Sequence, residues 1–172
     1  MPILAGVTLA LALLLWLAPS VDPTPHLQVT EGSARLVSER VVRALDRRSG
    51  GVPVEGASAY VECGAQSELE LTWRGAASVE LAGPAAFEFG ATPRLALESF
   101  RSAELEARRG SLAVEVSGLM VFELRAGAVR LVSSPAGVDV LNRGGAVLEL
   151  CTLEGKKVRV EPGRSVRIAP EG

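Results

Sequence analysis

The sequence predicts an all-β protein, an antiparallel β-sandwich or roll of about ten or more short strands, with one N-terminal transmembrane helix. From residue 69 onward, a unit of one charged residue between two apolar residues recurs along the chain. Such alternation places apolar side chains on one face of a strand and the charge on the other. The copies lie about 8–10 residues apart, which is typical of a sandwich or barrel. Turn signals rich in Gly and Pro separate them, so we expect successive antiparallel strands.

The first element is residues 1–21, a segment without any charged side chain. A helix over this segment would span about 31 Å, close to the thickness of the hydrocarbon core of a bilayer. We therefore expect a retained anchor, or an uncleaved signal, that contacts membrane lipid through residues 3–18. A cleaved signal peptide is the alternative, although the start of the segment lacks the Lys or Arg that secretory signals carry. The anchor side chains are Ile3, Leu4, Val7, Leu9, Leu11, Leu13, Leu14, Leu15, Trp16 and Leu17.

The second element is residues 22–33, which contain Pro23 and Pro25 and little apolar periodicity. This composition predicts a Pro-rich linker between the membrane and a β domain that occupies residues 34–172. The start of that domain, residues 34–48, has apolar spacing that fits both a helix and a strand. We predict a strand with a helical turn there.

The remaining elements are the alternating strands, beginning with the unit Leu69-Glu70-Leu71. Their apolar members should point into one shared core, because a solvated sheet buries only one of its faces. The predicted core residues are Leu69, Leu71, Val79, Leu81, Phe87, Phe89, Val114, Val116, Leu148, Leu150, Val158, Val160, Val166 and Ile168.

Composition and motifs disfavour several classes of function. The net charge is −2, with 18 basic and 20 acidic residues, and no basic patch is interleaved with aromatic residues, so we expect no nucleic-acid partner. The only histidine, His26, lies in the predicted linker, away from the nucleophile that His-dependent catalysis requires. No phosphate-binding glycine pattern or metal-ligand spacing occurs. We therefore expect no catalytic residue, metal or cofactor.

The recurring carboxylates and the two cysteines each leave two interpretations. The glutamates at strand centres are expected on a solvated outer face, or they form an acidic contact face for a basic partner. These residues are Glu70, Glu80, Glu88, Glu115 and Glu123. Cys63 and Cys151 either form a disulfide that joins the first and last parts of the domain in an oxidising compartment, or remain two buried free thiols.

The order of strands and turns over residues 52–169 resembles the FecR-like domain, the periplasmic sensor module of bacterial iron-dicitrate signalling proteins. Residues 67–81, 109–116 and 153–168 carry the resemblance. It implies a β module in the bacterial envelope. Signalling members also have a cytoplasmic segment that contacts a sigma factor and often a further small domain. This sequence resembles a minimal member without them, so the resemblance does not imply sigma-factor regulation.

These observations predict a non-enzymatic, single-pass protein of the bacterial inner membrane with its β domain in the periplasm. We expect it to dock on other membrane-complex or envelope proteins as an accessory or scaffolding subunit. The alternative is a periplasmic sensor or ligand-binding module of the FecR type. A small-molecule ligand is not expected from the motifs present.

Overall fold

The computed structural model describes residues 24–39 and 41–170. Fifteen strands form one sheet that curls around a single core, as the sequence predicted for the fold class. The strands are β1 (Pro25–Glu31), β2 (Ser33–Ser38), β3 (Val42–Asp46), β4 (Val52–Pro53), β5 (Ser58–Cys63), β6 (Glu68–Trp73), β7 (Ala77–Ala82), β8 (Ala85–Gly90), β9 (Arg94–Ser99), β10 (Ser102–Val116), β11 (Met120–Ser134), β12 (Gly137–Gly145), β13 (Leu148–Thr152), β14 (Lys157–Val160) and β15 (Ser165–Ile168).

The predicted anchor, residues 1–21, lies outside the described residues. Within residues 24–39 and 41–170, no helix is long and apolar enough to cross a bilayer.

The curled sheet has two parts that pack on the same core. We call β4-β1-β6-β7-β10-β11-β12-β15 the front sheet and β3-β2-β5-β8-β9-β10-β11-β13-β14 the back sheet. β10 and β11 belong to both because each is long enough to cross from one sheet to the other. The first half of β10 pairs with β7 and its second half pairs with β9. The first residues of β11 pair with β13, and its second half pairs with β12.

The two parts meet along a bend that crosses neighbouring strands. The β10–β11 register shifts between Ala107 and Ser111, and an irregularity of this kind bends a strand. Gly127 of β11 lies opposite Gly145 of β12 at the same bend, with φ of +150° and +96°. A Cβ atom on Gly127 would lie 2.5 Å from the Gly144 carbonyl oxygen, so only glycine permits this close approach of the two backbones.

Aromatic side chains join the two sheets across the core. Trp73 of β6 in the front sheet packs edge-on against Phe89 of β8 in the back sheet, with ring centroids 6.3 Å apart. The Trp73 indole Nε1–H donates to the Gly90 carbonyl at 3.0 Å, which satisfies its polar atom. The predicted core residues are buried, except Val158 and Val166, which are only partly buried.

The structure corrects the predicted linker. Residues 25–31 form β1, which lies between β4 and β6, and its Leu27 and Val29 are buried. Only two aliphatic core positions mark this strand, and the buried Pro25 is tolerated because it is the first residue.

The ambiguous segment 34–48 forms two strands rather than one. It contributes most of β2 and all of β3, followed by a single 3-10 turn at Arg47–Ser49. The Asp46 carboxylate caps this turn by accepting from the backbone N–H groups of Arg48 and Ser49. The apolar residues whose spacing fits a helix do not lie in this turn, since Val37 is in β2 and Ala44 and Leu45 are in β3.

Candidate functional site at an open edge of the sheet

The last two strands leave one edge of the curled sheet open. Among the described residues, β14 pairs only with β13 and β15 pairs only with β12. Each of these strands therefore has one side whose backbone N–H and C=O groups have no neighbouring strand. Such an edge is a template for pairing with another chain. We call β14, β15 and the cleft between them the open edge.

The inward side chains of the open edge are incompletely covered. Val158 and Val166 alternate with charged residues and pack against the core, as the sequence predicted, yet both are only partly buried. The next inward residues, Val160 and Ile168, are buried at 2% and 7% exposure. In each strand the first inward residue is therefore less well covered than the second.

These valines line a cleft of about 700 Å³. Its wall also includes Leu119, at the turn between β10 and β11, and Leu153, which is 69% exposed. Exposed apolar side chains that cluster around a concave surface mark interaction sites more often than scattered ones do.

A hydroxyl group at the cleft lacks a hydrogen-bond partner. Thr152 ends β13 and lines the cleft, and its Oγ1 atom is buried without any partner in the structure. Buried hydroxyls are nearly always paired, and leaving one unpaired costs about 1–3 kcal/mol.

Cations surround the cleft, and two of them have no acidic partner. Arg159 lies 3.3 Å from the Glu149 carboxylate on the adjacent strand β13. Among the described residues, neither Lys156 nor Lys157 forms an ion pair. The edge thus has unpaired positive charge beside partly covered apolar side chains.

The corresponding cation of β15 is fully engaged. Arg167 donates two hydrogen bonds of 2.7 Å to Asp139 on β12, and these bonds hold the pKa of Asp139 below its usual value. Arg167 and Arg159 therefore follow one pattern, in which a basic residue of an edge strand faces an acidic residue of the strand beside it.

A buried asparagine fixes the joint between β14 and β15. Asn142 is 1% exposed, and its Nδ2 donates to the carbonyl oxygens of Ala146 and Val160, both at 2.9 Å. Its Oδ1 accepts from the Gly144 backbone N–H at 3.2 Å. Because Val160 ends β14, this side chain ties β12 of the front sheet to β14 of the back sheet.

The predicted acidic contact face divides between the two sheets. In the front sheet, Glu70 of β6 lies directly opposite Glu80 of β7, which in turn lies opposite Glu104 of β10. Glu104 is compensated by Arg130 at 3.3 Å and Arg143 at 2.9 Å. The front group is therefore a row of neighbouring carboxylates, neutralised at one end.

The other three glutamates lie on the outer face of the back sheet. Glu88 and Glu115 share one cross-strand row but are separated by Ala96. Glu123 accepts a 2.7 Å hydrogen bond from Arg125, which lowers the pKa of Glu123. The five residues thus form two groups, because strand alternation reports the face of a strand and not which sheet the strand joins.

The two cysteines are free thiols in the structure, one of the two alternatives that the sequence left open. Cys63 lies on β5 and Cys151 on β13, with β8, β9, β10 and β11 between them in the back sheet. Five strand spacings correspond to about 24 Å along the sheet, whereas a disulfide requires Cα atoms within about 7 Å. Partial burial raises the pKa of the Cys63 thiol.

His26 lies in β1 rather than in a linker. It is partly buried and lines a shallow polar groove of about 430 Å³ that also contains Thr72, Glu106 and Arg108. Glu106 is engaged by Arg108 at 2.9 Å. Across residues 24–39 and 41–170, no group of three or more His, Cys, Asp or Glu side chains is placed to hold a metal ion.

No family model, curated protein or solved structure matches this chain. The resemblance to the FecR-like domain accordingly remains a prediction from sequence motifs. Function is inferred below from the geometry of the open edge.

The sequence did not reveal the residues that build this edge. Asn142 is followed by Arg143, Gly144 and Gly145, a polar and glycine-rich stretch that is typical of a turn. Thr152 lies next to a predicted turn and carries no motif. The available signal was the change from glutamate to lysine or arginine at the centres of the last two strands.

Proposed function

We propose that this chain is a non-enzymatic docking protein that binds another protein at the open edge. The supporting observation is the partial exposure of Val158 and Val166, two core-facing side chains that line a cleft beside unpaired strand edges. Covering them removes apolar surface from water, which contributes about 25 cal/mol for each Å² buried.

Strand addition suits this geometry. An extended segment that pairs with an edge strand gains backbone hydrogen bonds, and its alternate side chains fill pockets beside the edge. The open edge offers both elements, since unpaired backbone groups lie next to an apolar cleft. Specificity then comes from surface pattern, which explains why the sequence contains no motif for it.

The proposed setting is a bacterial inner-membrane complex, with residues 3–18 as the anchor and the β domain in the periplasm. Anchor and docking edge would reinforce each other, because binding at one raises the effective concentration at the other. The chain then serves as an accessory or scaffolding subunit. Its rival, an envelope sensor of the FecR type, is supported by the sequence resemblance, and a neighbouring sigma-factor gene would favour it.

The test compares two exposed valines on opposite edges of the back sheet. The full-length chain, tagged and expressed in its native host, is purified in mild detergent as wild type, Val158→Asp and Val42→Asp. Val42 is 64% exposed on β3 and serves as the control. We expect Val158→Asp to lose the co-purifying membrane proteins that the wild type and Val42→Asp retain. Retention by all three chains, each folded by circular dichroism, would refute docking at the open edge.

A further inference from the structure

We infer that the occupant of the open edge is an extended segment of another protein in which acidic residues alternate with apolar ones, added beside β14. This inference rests on the proposed function and specifies the chemistry of the partner. It follows from the charge pattern of the last strands and from the two unpaired lysines.

Within the structure, β14 already has one neighbour of this kind. β13 contributes Leu148, Glu149 and Leu150, and these residues lie opposite Val160, Arg159 and Val158 respectively. The match places apolar side chains together on the core face and opposite charges together on the outer face. A strand on the free side of β14 meets the same two faces, so the same alternation fits it.

The unpaired lysines supply charge that β13 does not neutralise. Lys157 faces Cys151 on β13, so its ammonium has no carboxylate opposite it. Lys156 precedes it in the turn and is also exposed. Opposite charges directly across a strand pair stabilise the pair, and like charges destabilise it. An acidic residue on the incoming strand is therefore favoured and a basic residue is disfavoured.

A second copy of this chain fits the edge poorly. When two β14 strands pair in antiparallel orientation with their valines on the cleft side, Val158 lies opposite Val158. Lys157 of each copy then lies opposite Arg159 of the other, so both outer pairs repel. The opposite edge strand, β3, carries Arg43 and offers no carboxylate before its last residue, Asp46. Charge therefore selects a partner other than this chain.

The test uses the purified full-length chain in detergent and three synthetic peptides of about seven residues, a common strand length. In each peptide leucine alternates with glutamate, glutamine or lysine, and binding is measured by fluorescence anisotropy. We expect the glutamate peptide to bind roughly tenfold more tightly than the lysine peptide, as two cross-strand charge pairs change sign. The difference should shrink in about 1 M salt, where the Debye length is about 3 Å.

Charge reversal locates the site. In the double variant Lys156→Glu and Lys157→Glu, the preference for the glutamate peptide should disappear, because Arg159 then faces one charge of the peptide and the glutamate introduced at position 157 faces the other. Arg43→Glu on β3 should leave the preference unchanged. Hydrogen exchange on the wild-type chain adds a readout that needs no substitution. The glutamate peptide should protect the amides of β14 and leave those of β3 unprotected.

The outcomes separate this inference from the proposed function. If Val158→Asp releases the native partners but the glutamate and lysine peptides bind equally, docking stands and the acidic strand is refuted. If the chain forms a dimer that Val158→Asp dissociates, the occupant is a second copy and the inference is refuted. If the glutamate peptide protects β3 instead of β14, the site is refuted.

Discussion

Replacement of Asn142 by alanine tests whether one buried side chain holds the joint of the open edge. The Asn142 amide makes three hydrogen bonds, to Ala146, Val160 and Gly144, at 2.9, 2.9 and 3.2 Å. Each such bond contributes about 1 kcal/mol net, so Asn142→Ala should lower the free energy of unfolding by about 3 kcal/mol. For a chain of this length, the loss corresponds to a melting temperature about 6–12 °C lower.

Two further substitutions sharpen this measurement. Asn142→Asp should cost more than alanine at neutral pH, because a carboxylate oxygen then faces the Ala146 and Val160 carbonyls without a proton to donate. Thr30→Ala removes an exposed hydrogen bond to the Glu68 carbonyl and should change stability by less than about 0.5 kcal/mol.

Urea unfolding with comparable m values gives these free energies. Hydrogen exchange should show faster exchange around residues 160–164 in the Asn142→Ala chain. If Asn142→Ala lowers the free energy of unfolding by less than about 1 kcal/mol, or by no more than Thr30→Ala does, the role assigned to the Asn142 side-chain amide is refuted.

Four other predictions follow from the sequence and structure. Phe87→Ala removes a fully buried ring and should lower the free energy of unfolding in urea by about 3–5 kcal/mol. Glu88→Gln on the outer face should change it by less than about 0.5 kcal/mol. Equal losses in the two variants would contradict the predicted alternation. Because Arg167 lowers the pKa of Asp139, their pairing stabilises the fold at neutral pH, and this stabilisation disappears as the pH falls through the lowered pKa. In thermal melts, the Asp139→Asn chain should therefore lose less stability than the wild-type chain as the pH falls below about 4. The same pH dependence of the melting temperature in both chains would argue against the pairing. Alkylation of the unfolded, unreduced chain should modify both cysteines, while an unmodified chain would indicate a bridge. Intact mass of the native protein should include residues 3–18, and an N-terminus near residue 21 would contradict the retained anchor.

The fold class was predictable because alternation is a local signal. Most strands from β6 to β15 bury alternate, mainly apolar residues, and this depends only on the period of two along an extended chain. β1 was not predicted because its two buried aliphatic residues, Leu27 and Val29, lie between prolines and polar residues. Its place in the sheet is fixed by pairing with β6 and β4, which are distant in sequence.

The open edge was not predictable for the same physical reason. Alternation correctly placed Val158 and Val166 on the core-facing side of their strands, yet the extent of burial depends on whether another strand covers them. The neighbours of β14 and β15 are set by long-range pairing, and their free sides become visible only once the full strand order is known. Asn142 likewise gains its role from a bend that brings Val160 beside it.

The edges of this sheet are protected in different ways, and the difference bears on function. β4, at one edge of the front sheet, is two residues long and ends at Pro53, which has no N–H group to donate. Short length and proline block strand addition whatever the partner. β14 instead carries Lys157 and Arg159 on its outer face and leaves its backbone free. These cations repel a second copy of the same edge but attract a segment that carries carboxylates. The charge of β14, and not its shape, therefore determines which strands can pair with it. An edge protected in this way remains usable by one class of partner, which is the property that a docking strand requires.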